Sequence, residues 1–363
     1  MNPQVEARAL VDKLRAYSGR PLTFMEVCGT HTMAAAKSGL RSLLPPTVRL
    51  ISGPGCPVCV TPVGYVDHAL ALAALPDVCL TTFGDLLKVP GSTHVKGPPP
   101  TLLRAKAEGA DVRVCYSPLN ALEIARAEPH KQVVFLGVGF ETTAPTIAAA
   151  VQTAAREGLA NFSVLGAHKT IPEAMVVLAS SSELRLDGFL CPGHVSVILG
   201  PEVYEPIARD HHQPCVIAGF ETAEILRGVA ALVGQVAAGV ARVENTYPGP
   251  VRPGGNPKAR AVLDDVFEPC DSVWRGVGEI AHSGLGFRER YARFDAARRF
   301  DVAVPEPREP RGCRCGDVLR GVLDPALCPL FGKACTPDNP VGACMVSSEG
   351  SCAARYHYAE VAA

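Results

Sequence analysis

Residues 131–157 read KQVVFLGVGFETTAPTIAAAVQTAARE and carry the pattern that defines the fold class. The apolar run Gln132–Val138 has the length and the β-branched content of a buried strand. After a short turn, alanines and other apolar residues recur with helical period over Thr143–Glu157. A buried strand that leads directly into a helix predicts a parallel α/β sheet.

The same succession recurs on both sides of this stretch. Apolar runs rich in Val, Leu and Phe are followed by Gly, Pro or Thr and then by helical segments such as Pro118–Ala127. We predict further buried strands at Leu22–Val27, Val48–Ser52, Asp77–Thr82, Val112–Tyr116, Phe162–Gly166, Asp187–Leu190 and Pro214–Ala218. The alternation favours an α/β fold with parallel sheets.

An internal similarity indicates two related α/β units. VVFLGVGFETTAP at 133–145 resembles CVIAGFETAEI at 215–225, although echoes of this length also arise by chance. After Asn245 the composition shifts to Pro, Gly and Arg, which is typical of a connection into another region. We therefore predict two α/β domains, at 1–130 and 131–244, and a smaller third domain at 245–363.

The composition excludes several classes of function. The chain has 363 residues, with 47% hydrophobic residues and 35 Lys plus Arg against 36 Asp plus Glu. This balance provides no basic stripe for a nucleic acid. The apolar stretches are too short to cross a bilayer, and residues 1–20 do not have the pattern of a signal peptide. We expect a soluble cytoplasmic protein.

Fourteen cysteines in such a protein point to metal binding or redox chemistry rather than to structural disulfides. Six lie close together among Gly and Pro, in a region with little regular periodicity: Cys313, Cys315, Cys328, Cys335, Cys344 and Cys352. A [4Fe-4S] cluster tolerates their irregular spacing because it is larger than a single ion. Zinc bound by four thiolates and a reduced cluster of thiols without metal are the alternatives. The sequence alone does not select the four ligands.

Two thiol motifs follow predicted strands in the N-terminal part. Cys28 and His31 lie in MEVCGTHT, at the end of a strand where parallel sheets carry their ligands, although Cys-x-x-His alone is a weak signal. Cys56 and Cys59 in GPGCPVC have the spacing of a reversible dithiol. Because both motifs end adjacent strands, we expect them to face one crevice. His194 could line that crevice, or it could simply belong to the start of a helix.

Several motifs occurring in one order are more specific than any one of them. FMEVCGTHT, GPGCPVC, GFETTAP, CPGHVS and CPLFGKACTPDNPVGACMVSSEGSCAA together closely resemble the HypD family, which takes part in the maturation of [NiFe]-hydrogenases. The resemblance spans nearly the whole chain. It implies two α/β domains around a cleft and a small C-terminal domain with a [4Fe-4S] cluster.

The resemblance also implies a function and a set of site residues. Members hold ferrous iron, together with a small HypC-type partner, while the Fe(CN)2CO group is assembled on that iron. A HypE-type partner donates the cyanides, and the finished group passes on towards the hydrogenase large subunit. Cys28 corresponds to the family's iron ligand, and Cys56 and Cys59 to its dithiol. The family spacing C-x14-C-x6-C-x16-C selects Cys313, Cys328, Cys335 and Cys352 as cluster ligands. Cys315 and Cys344 are then left over.

An enzyme of another class is the alternative interpretation. A cluster-dependent protein disulfide reductase would use the dithiol and the cluster equally well. It would not need Cys28 with His31, whereas an iron scaffold would. A purely structural zinc protein would leave Cys56 and Cys59 without a role.

Overall fold

The strands of the protein follow the predicted apolar runs closely. The computed structural model describes residues 3–93 and 97–358. Within them, the strands are β1 (Leu22–Glu26), β2 (Val48–Ser52), β3 (Val78–Thr82), β4 (Val112–Val114), β5 (Gln132–Gly139), β6 (Phe162–His168), β7 (Gly188–Pro192), β8 (Cys215–Ala218), β9 (Val243–Asn245), β10 (Phe267–Trp274) and β11 (Gly278–Phe287). All eight predicted strands are present, and their ends differ from prediction by at most two residues.

Helices connect most of these strands, as the alanine-rich segments predict. They are α1 (Pro3–Arg15), α2 (Gly29–Lys37), α3 (Leu40–Leu43), α4 (Pro57–Val60), α5 (Val63–Ala73), α6 (Leu102–Ala107), α7 (Pro118–Ala127), α8 (Ala144–Glu157), α9 (Ile171–Ala179), α10 (Gly193–Leu199), α11 (Glu205–Asp210), α12 (Thr222–Ala237), α13 (Pro257–Val266), α14 (Ala296–Arg299), α15 (Cys315–Leu319) and α16 (Ser351–Tyr358). No helix within the described ranges is both long enough and apolar enough to span a bilayer.

Two parallel sheets form the framework. The first has the order β2-β1-β7-β8-β9, and the second has the order β4-β3-β5-β6. In each sheet, the strand that comes second along the chain lies on one side of the strand that comes first, and the later strands lie on its other side. This winding creates a topological switch point between β1 and β7 and another between β3 and β5, where parallel sheets bind ligands. The predicted pair of parallel-sheet α/β units is confirmed.

The division into sheets does not follow the chain in order. β3 and β4 join β5 and β6 in the second sheet, although the predicted boundary at residue 130 lies between β4 and β5. β1 instead pairs with β7, which comes after residue 187, and β2 joins that sheet through β1. The repeated Gly-Phe-Glu-Thr segments follow β5 and β8, which are the third and fourth strands of their units. The shared strand order therefore supports a relationship between the units better than these segments do.

The region after residue 300 has few regular elements and a small core. Residues 301–310 contain neither helix nor strand, and the helices that follow are short. One cluster of buried side chains in this region comprises only Cys335, Met345 and Ala353. Helix α16 packs against α2, so the C-terminal region lies over the carboxyl end of the first sheet.

Candidate thiol and metal-binding sites

Cys28 lies at the switch point of the first sheet. It follows β1, occupies the N-cap position of α2 in an extended conformation and is only 8% exposed. The neighbouring strand β7 ends at the same edge of the sheet. The chain thus places a cysteine, a residue type that can bind metals, where parallel sheets carry their ligands.

A buried carboxyl group fixes the backbone of this loop. Oε2 of Glu26 accepts a hydrogen bond from the backbone N–H of Cys28 (3.2 Å), and its Oε1 accepts one from the hydroxyl of Thr32 (2.6 Å). The guanidinium of Arg41 lies 3.6 Å from the same carboxyl group. Burial raises the pKa of Glu26 to about 7, while Arg41 acts in the opposite direction. Both ends of the Cys28 turn are therefore tied to one side chain.

The environment of Cys28 disfavours a free thiolate. Burial raises the pKa of its thiol to about 12, although the backbone N–H groups of His31 and Thr30 at the start of α2 oppose this shift. A desolvated thiolate needs a positive partner, and a bound metal cation provides one and deprotonates the thiol. The site is consequently suited to a thiolate that forms together with metal binding.

His31 is held against the end of β8, which lies two strands away from β1 in the sheet. Its Nε2–H donates to the carbonyl oxygen of Gly219 (2.9 Å), since a carbonyl can only accept, and its ring lies 4.8 Å from that of Phe220. Burial lowers the pKa of His31 to about 4, so the ring is neutral at neutral pH. The buried Nδ1 has no hydrogen-bond partner among the described residues. Nδ1 is therefore the nitrogen whose lone pair remains available.

The dithiol motif meets the Cys28 loop directly. Cys56 and Cys59 form a disulfide at the start of α4, with their Cα atoms 5.3 Å apart. The backbone N–H of Gly29 donates to the carbonyl oxygen of Gly55 (2.8 Å), and a Cβ atom on Gly55 would lie 2.2 Å from the nitrogen of Cys28. Only glycine fits at this close approach. The structure thus brings together the two motifs that sequence analysis expected in one crevice.

His194 marks the open side of this crevice. It is the second residue of α10, directly after β7, and its side chain is exposed. Its ring stacks on Phe220 at 4.0 Å between centroids, and Phe220 also contacts His31. Both histidines therefore pack on one aromatic ring at the carboxyl end of the first sheet.

Sequence analysis missed a side chain from the C-terminal region that reaches the Cys28 loop. Glu349 accepts a hydrogen bond from the hydroxyl of Thr30 through Oε1 (2.8 Å). A Cβ atom on Gly29 would lie 2.5 Å from the Cβ of Glu349, which explains the glycine in this motif. Nearby, the Ser347 hydroxyl donates to Oδ2 of Asp85 beyond β3 (3.0 Å). Residues 347–349, called the strap below, thus bridge the loops of the two sheets.

No signal in the sequence could identify the role of Glu349, because the contact joins residues 319 positions apart. Its only distinguishing feature was its place among the C-terminal cysteines. Glycine in the Cys-Gly-Thr-His motif was a weak hint of a close approach there.

The six C-terminal cysteines line one small cavity with an almost wholly apolar surface. Cys335 accepts a hydrogen bond at Sγ from the backbone N–H of Val341 (3.4 Å). Among the described residues, no three His, Cys, Asp or Glu side chains converge tightly enough for a single metal ion. Three of the six thiols are buried and three are half-buried. Together with the N–H donor to sulfur, they fit the chemistry of an iron-sulfur cluster, which is larger than one ion.

Two of these cysteines form a close pair. The sulfur atoms of Cys315 and Cys344 lie 2.6 Å apart and are buried. They are the two cysteines that the family spacing leaves over. The sulfur of Cys59 in turn lies 4.0 Å from the carbonyl oxygen of Ala343, the residue before Cys344. The pair therefore lies on the side of the cavity that faces the dithiol.

Comparisons with known proteins show which family this chain resembles. Residues 5–359 match the model of the Hydrogenase formation hypA family, HypD. The chain is 46% identical over 357 residues to the hydrogenase maturation factor HypD of Rhizobium leguminosarum bv. viciae, covering 96% of this chain and 90% of that protein. It is also 46% identical over 342 residues to HypD of Escherichia coli K12, covering 93% and 90%. The relative from Rhodobacter capsulatus is 46% identical over 358 residues, covering 97% and 93%. With similarity along nearly its full length, the chain belongs to the HypD family of hydrogenase maturation factors.

Proposed function

We propose that this protein is a scaffold that holds an iron atom while the Fe(CN)2CO group of a [NiFe]-hydrogenase is assembled on it. The observation that carries the proposal is the position of Cys28, whose buried thiol lies at a switch point. The next residue, Gly29, donates its backbone N–H to the carbonyl oxygen of Gly55 in the dithiol loop. The iron with its diatomic ligands is the substrate of this site. A thiolate makes ferrous iron electron-rich, which favours the binding of cyanide and carbon monoxide.

Cys28 is the proposed ligand to the iron, and Cys56 and Cys59 assist it from the adjoining loop. In their reduced form these two thiols can bind iron or give up two electrons and two protons as they form the disulfide. His31 holds α2 against β8 through its Nε2–H, and its Nδ1 lone pair is free to take part. Glu26 holds the Cys28 turn in place by accepting a hydrogen bond from the backbone N–H of Cys28.

A second group of residues holds a resident cofactor. We assign Cys313, Cys328, Cys335 and Cys352 to a [4Fe-4S] cluster, because they line one apolar cavity and follow the family spacing. Such a cluster supplies electrons one at a time. Cys315 and Cys344 lie between this cavity and the dithiol, where two further thiols can carry reducing equivalents towards Cys59.

The partners are proposed from the same assignment. A HypC-type protein would complete the coordination of the iron, a HypE-type protein would deliver cyanide, and the hydrogenase large subunit would receive the product. The exposed side of the crevice near His194 leaves room for a ligand from a partner. We propose the cytoplasm as the location of this assembly.

The deciding experiment is infrared spectroscopy of the protein purified anaerobically with its HypC-type partner. Cyanide and carbon monoxide stretches fall in a window without protein bands, so their presence on the one-to-one complex would support the scaffold. If the two proteins do not co-elute under reducing conditions and no such bands form, the scaffold assignment is wrong.

A protein disulfide reductase is the second candidate, and the disulfide beside the cysteine-lined cavity favours it. However, Cys56 is only 3% exposed and Cys59 is fully buried. A protein disulfide could not reach either sulfur unless the crevice opened. A single iron atom is much smaller and needs less space. A variant without Cys28 separates the two candidates, because only the scaffold requires that thiol.

A further inference from the structure

A groove runs along the open edge of the first sheet. Strand β2 is the terminal strand in the order β2-β1-β7-β8-β9, and all five of its residues line a cavity of about 390 Å³. Residues 44–46 form one wall, and residues 318–325 with the start of α16 form the other. The floor of this groove, called the edge groove below, is thus the outer side of a terminal strand.

The ladder to β1 shows which backbone groups point into the edge groove. Leu22 N–H donates to the carbonyl oxygen of Thr47, and Gly53 N–H donates to that of Glu26. In a parallel ladder, bonded residues alternate, so the residues of β2 that pair with β1 are the odd-numbered ones. Val48, Leu50 and Ser52 therefore direct their N–H and C=O groups away from β1, where the Val48 N–H donates to the carbonyl oxygen of Pro45 (2.9 Å). The Nε–H of Arg41 donates to the Leu50 carbonyl oxygen from that side (3.0 Å), which fits this orientation.

The edge groove carries a positive charge. Arg41, Arg49 and Arg355 line it, and Asp324 is the acidic residue among the lining residues. Asp324 lies 3.8 Å from the Nε of Arg355 and offsets that charge only in part. An edge strand flanked by arginines is protected against unselective pairing, because an incoming strand must bring carboxylates to these guanidinium groups.

We propose that the edge groove binds an extended acidic segment of a partner protein, which adds a strand beside β2. Five residues of strand span about 17 Å, which sets the length of the bound segment at roughly five residues. Backbone pairing to the C=O of Val48 and the N–H of Leu50 supplies affinity. Carboxylates at alternate positions select the partner through Arg49 and Arg355. The lining residues include no aromatic ring, lysine or glycine-rich loop, which disfavours a nucleotide.

The edge groove is distinct from the crevice but adjoins it. Arg41 contacts the Leu50 carbonyl on the groove side and lies 3.6 Å from Glu26, which supports the Cys28 turn. A partner segment seated in the groove would therefore be anchored behind the loop that we assign to iron, and its body would lie near the crevice. Because Arg41 has this second contact, the test below uses Arg49 and Arg355 instead.

The test measures binding of a fluorescent six-residue peptide of alternating Val and Glu to the intact protein, prepared without oxygen. We expect saturable binding that weakens with added salt, as charge pairing requires. Arg49→Ala and Arg355→Ala should each weaken binding about threefold, and the double variant about tenfold. Arg209→Ala, which removes an exposed arginine on α11, should leave binding unchanged. Hydrogen exchange of residues 48–52 should slow when the peptide is bound.

Two controls make the proposal falsifiable. A peptide N-methylated at alternate amides keeps its carboxylates but cannot form the ladder, so it should bind at least tenfold more weakly. Equal binding of the methylated peptide would show a pocket that recognises charge alone and would overturn the proposal. Equal binding by the double variant, with its circular dichroism unchanged, would place the peptide elsewhere and would also overturn it.

Discussion

The two thiol regions of this protein are built in different ways. The loop of Cys28 and the dithiol of Cys56 and Cys59 stand on a five-stranded parallel sheet, whose buried side chains hold them in place. The cysteines after residue 312 lie among turns and short helices, with a small core around Cys335 and Met345. The first site has a framework that exists without any metal, whereas the second must obtain much of its order from the group that its cysteines bind.

This difference teaches how the regions depend on each other. The strap crosses from the weakly supported region to the strongly supported one, through Glu349 to Thr30 and through Ser347 to Asp85. Greater mobility of the C-terminal cysteine region should therefore also increase the mobility of the Cys28 loop. The reverse influence should be small, because the sheet does not need the strap to stay folded.

The largest effect is expected from loss of a proposed cluster ligand. Protein prepared without oxygen should contain about four irons and four sulfides per chain. Cys335→Ala should lose most of both and should exchange amide hydrogens faster throughout 313–358, because little apolar core remains to order that segment. Metal and sulfide analysis together with hydrogen exchange would measure this.

Cys344→Ala is the matched control for that variant, because Cys344 is buried in the same cavity but lies outside the family spacing. It should keep its iron and sulfide. Zinc in place of iron in the unaltered protein, or an equal loss of iron from both variants, would contradict the assignment of ligands.

Removal of the thiol at the other site should have the opposite pattern. Cys28→Ala should abolish the infrared bands of cyanide and carbon monoxide and stop hydrogenase maturation in cells, since the proposed iron ligand is gone. Its cluster absorbance and melting temperature should match those of the unaltered protein, because the sheet supports the loop independently. Full maturation by this variant would disprove the scaffold, and loss of its cluster would show that the regions are not independent.

A smaller effect should follow from crowding the contact between the regions. Gly29→Ala puts a Cβ atom 2.5 Å from the Cβ of Glu349, so the strap must move away. We expect a loss of about 1–3 kcal/mol in the free energy of unfolding, measured by denaturant titration. Gly234→Ala serves as the control, because a Cβ atom at that helical position meets nothing within 4 Å.

The double variant Gly29→Ala with Glu349→Gly tests the cause of that loss. It removes the facing Cβ atom and should regain part of the stability, although the hydrogen bond to Thr30 is lost. No regain at all would mean that the methyl group clashes with the sheet loops instead of the strap.

The remaining prediction concerns the framework alone and depends on pH. Burial raises the pKa of Glu141, which follows β5, from 4.5 to about 8. The folded protein therefore keeps a proton that the unfolded chain releases above pH 4.5, so this group lowers stability as the pH rises towards 8. Glu141→Gln keeps an acceptor for the N–H of Ile171 and cannot ionise. Its unfolding free energy should fall less between pH 5 and 8 than that of the unaltered protein, and equal slopes would contradict the shift.

The sequence by itself determined the family and eight of the eleven strands in the described part of the chain, while β9, β10 and β11 were not predicted. Buried parallel strands have to be continuous apolar runs, so each run was visible without the fold, and helix α7 was predicted with both of its ends correct. The motifs around Cys28, Cys56 and the C-terminal cysteines were equally visible, because thiol chemistry depends on residue type and short spacing. These features are local, and local patterns are what a sequence records directly.

Only the tertiary structure decided which strands share a sheet and what meets at the crevice. β1 pairs with β7, about 160 residues later, and the predicted boundary at residue 130 missed this because sheet pairing is not encoded in adjacent residues. The contact of Glu349 with the Cys28 loop and the pairing of Cys315 with Cys344 likewise join distant segments. Such contacts arise from the packing of whole layers against each other, and no single stretch of the chain contains the information that specifies them.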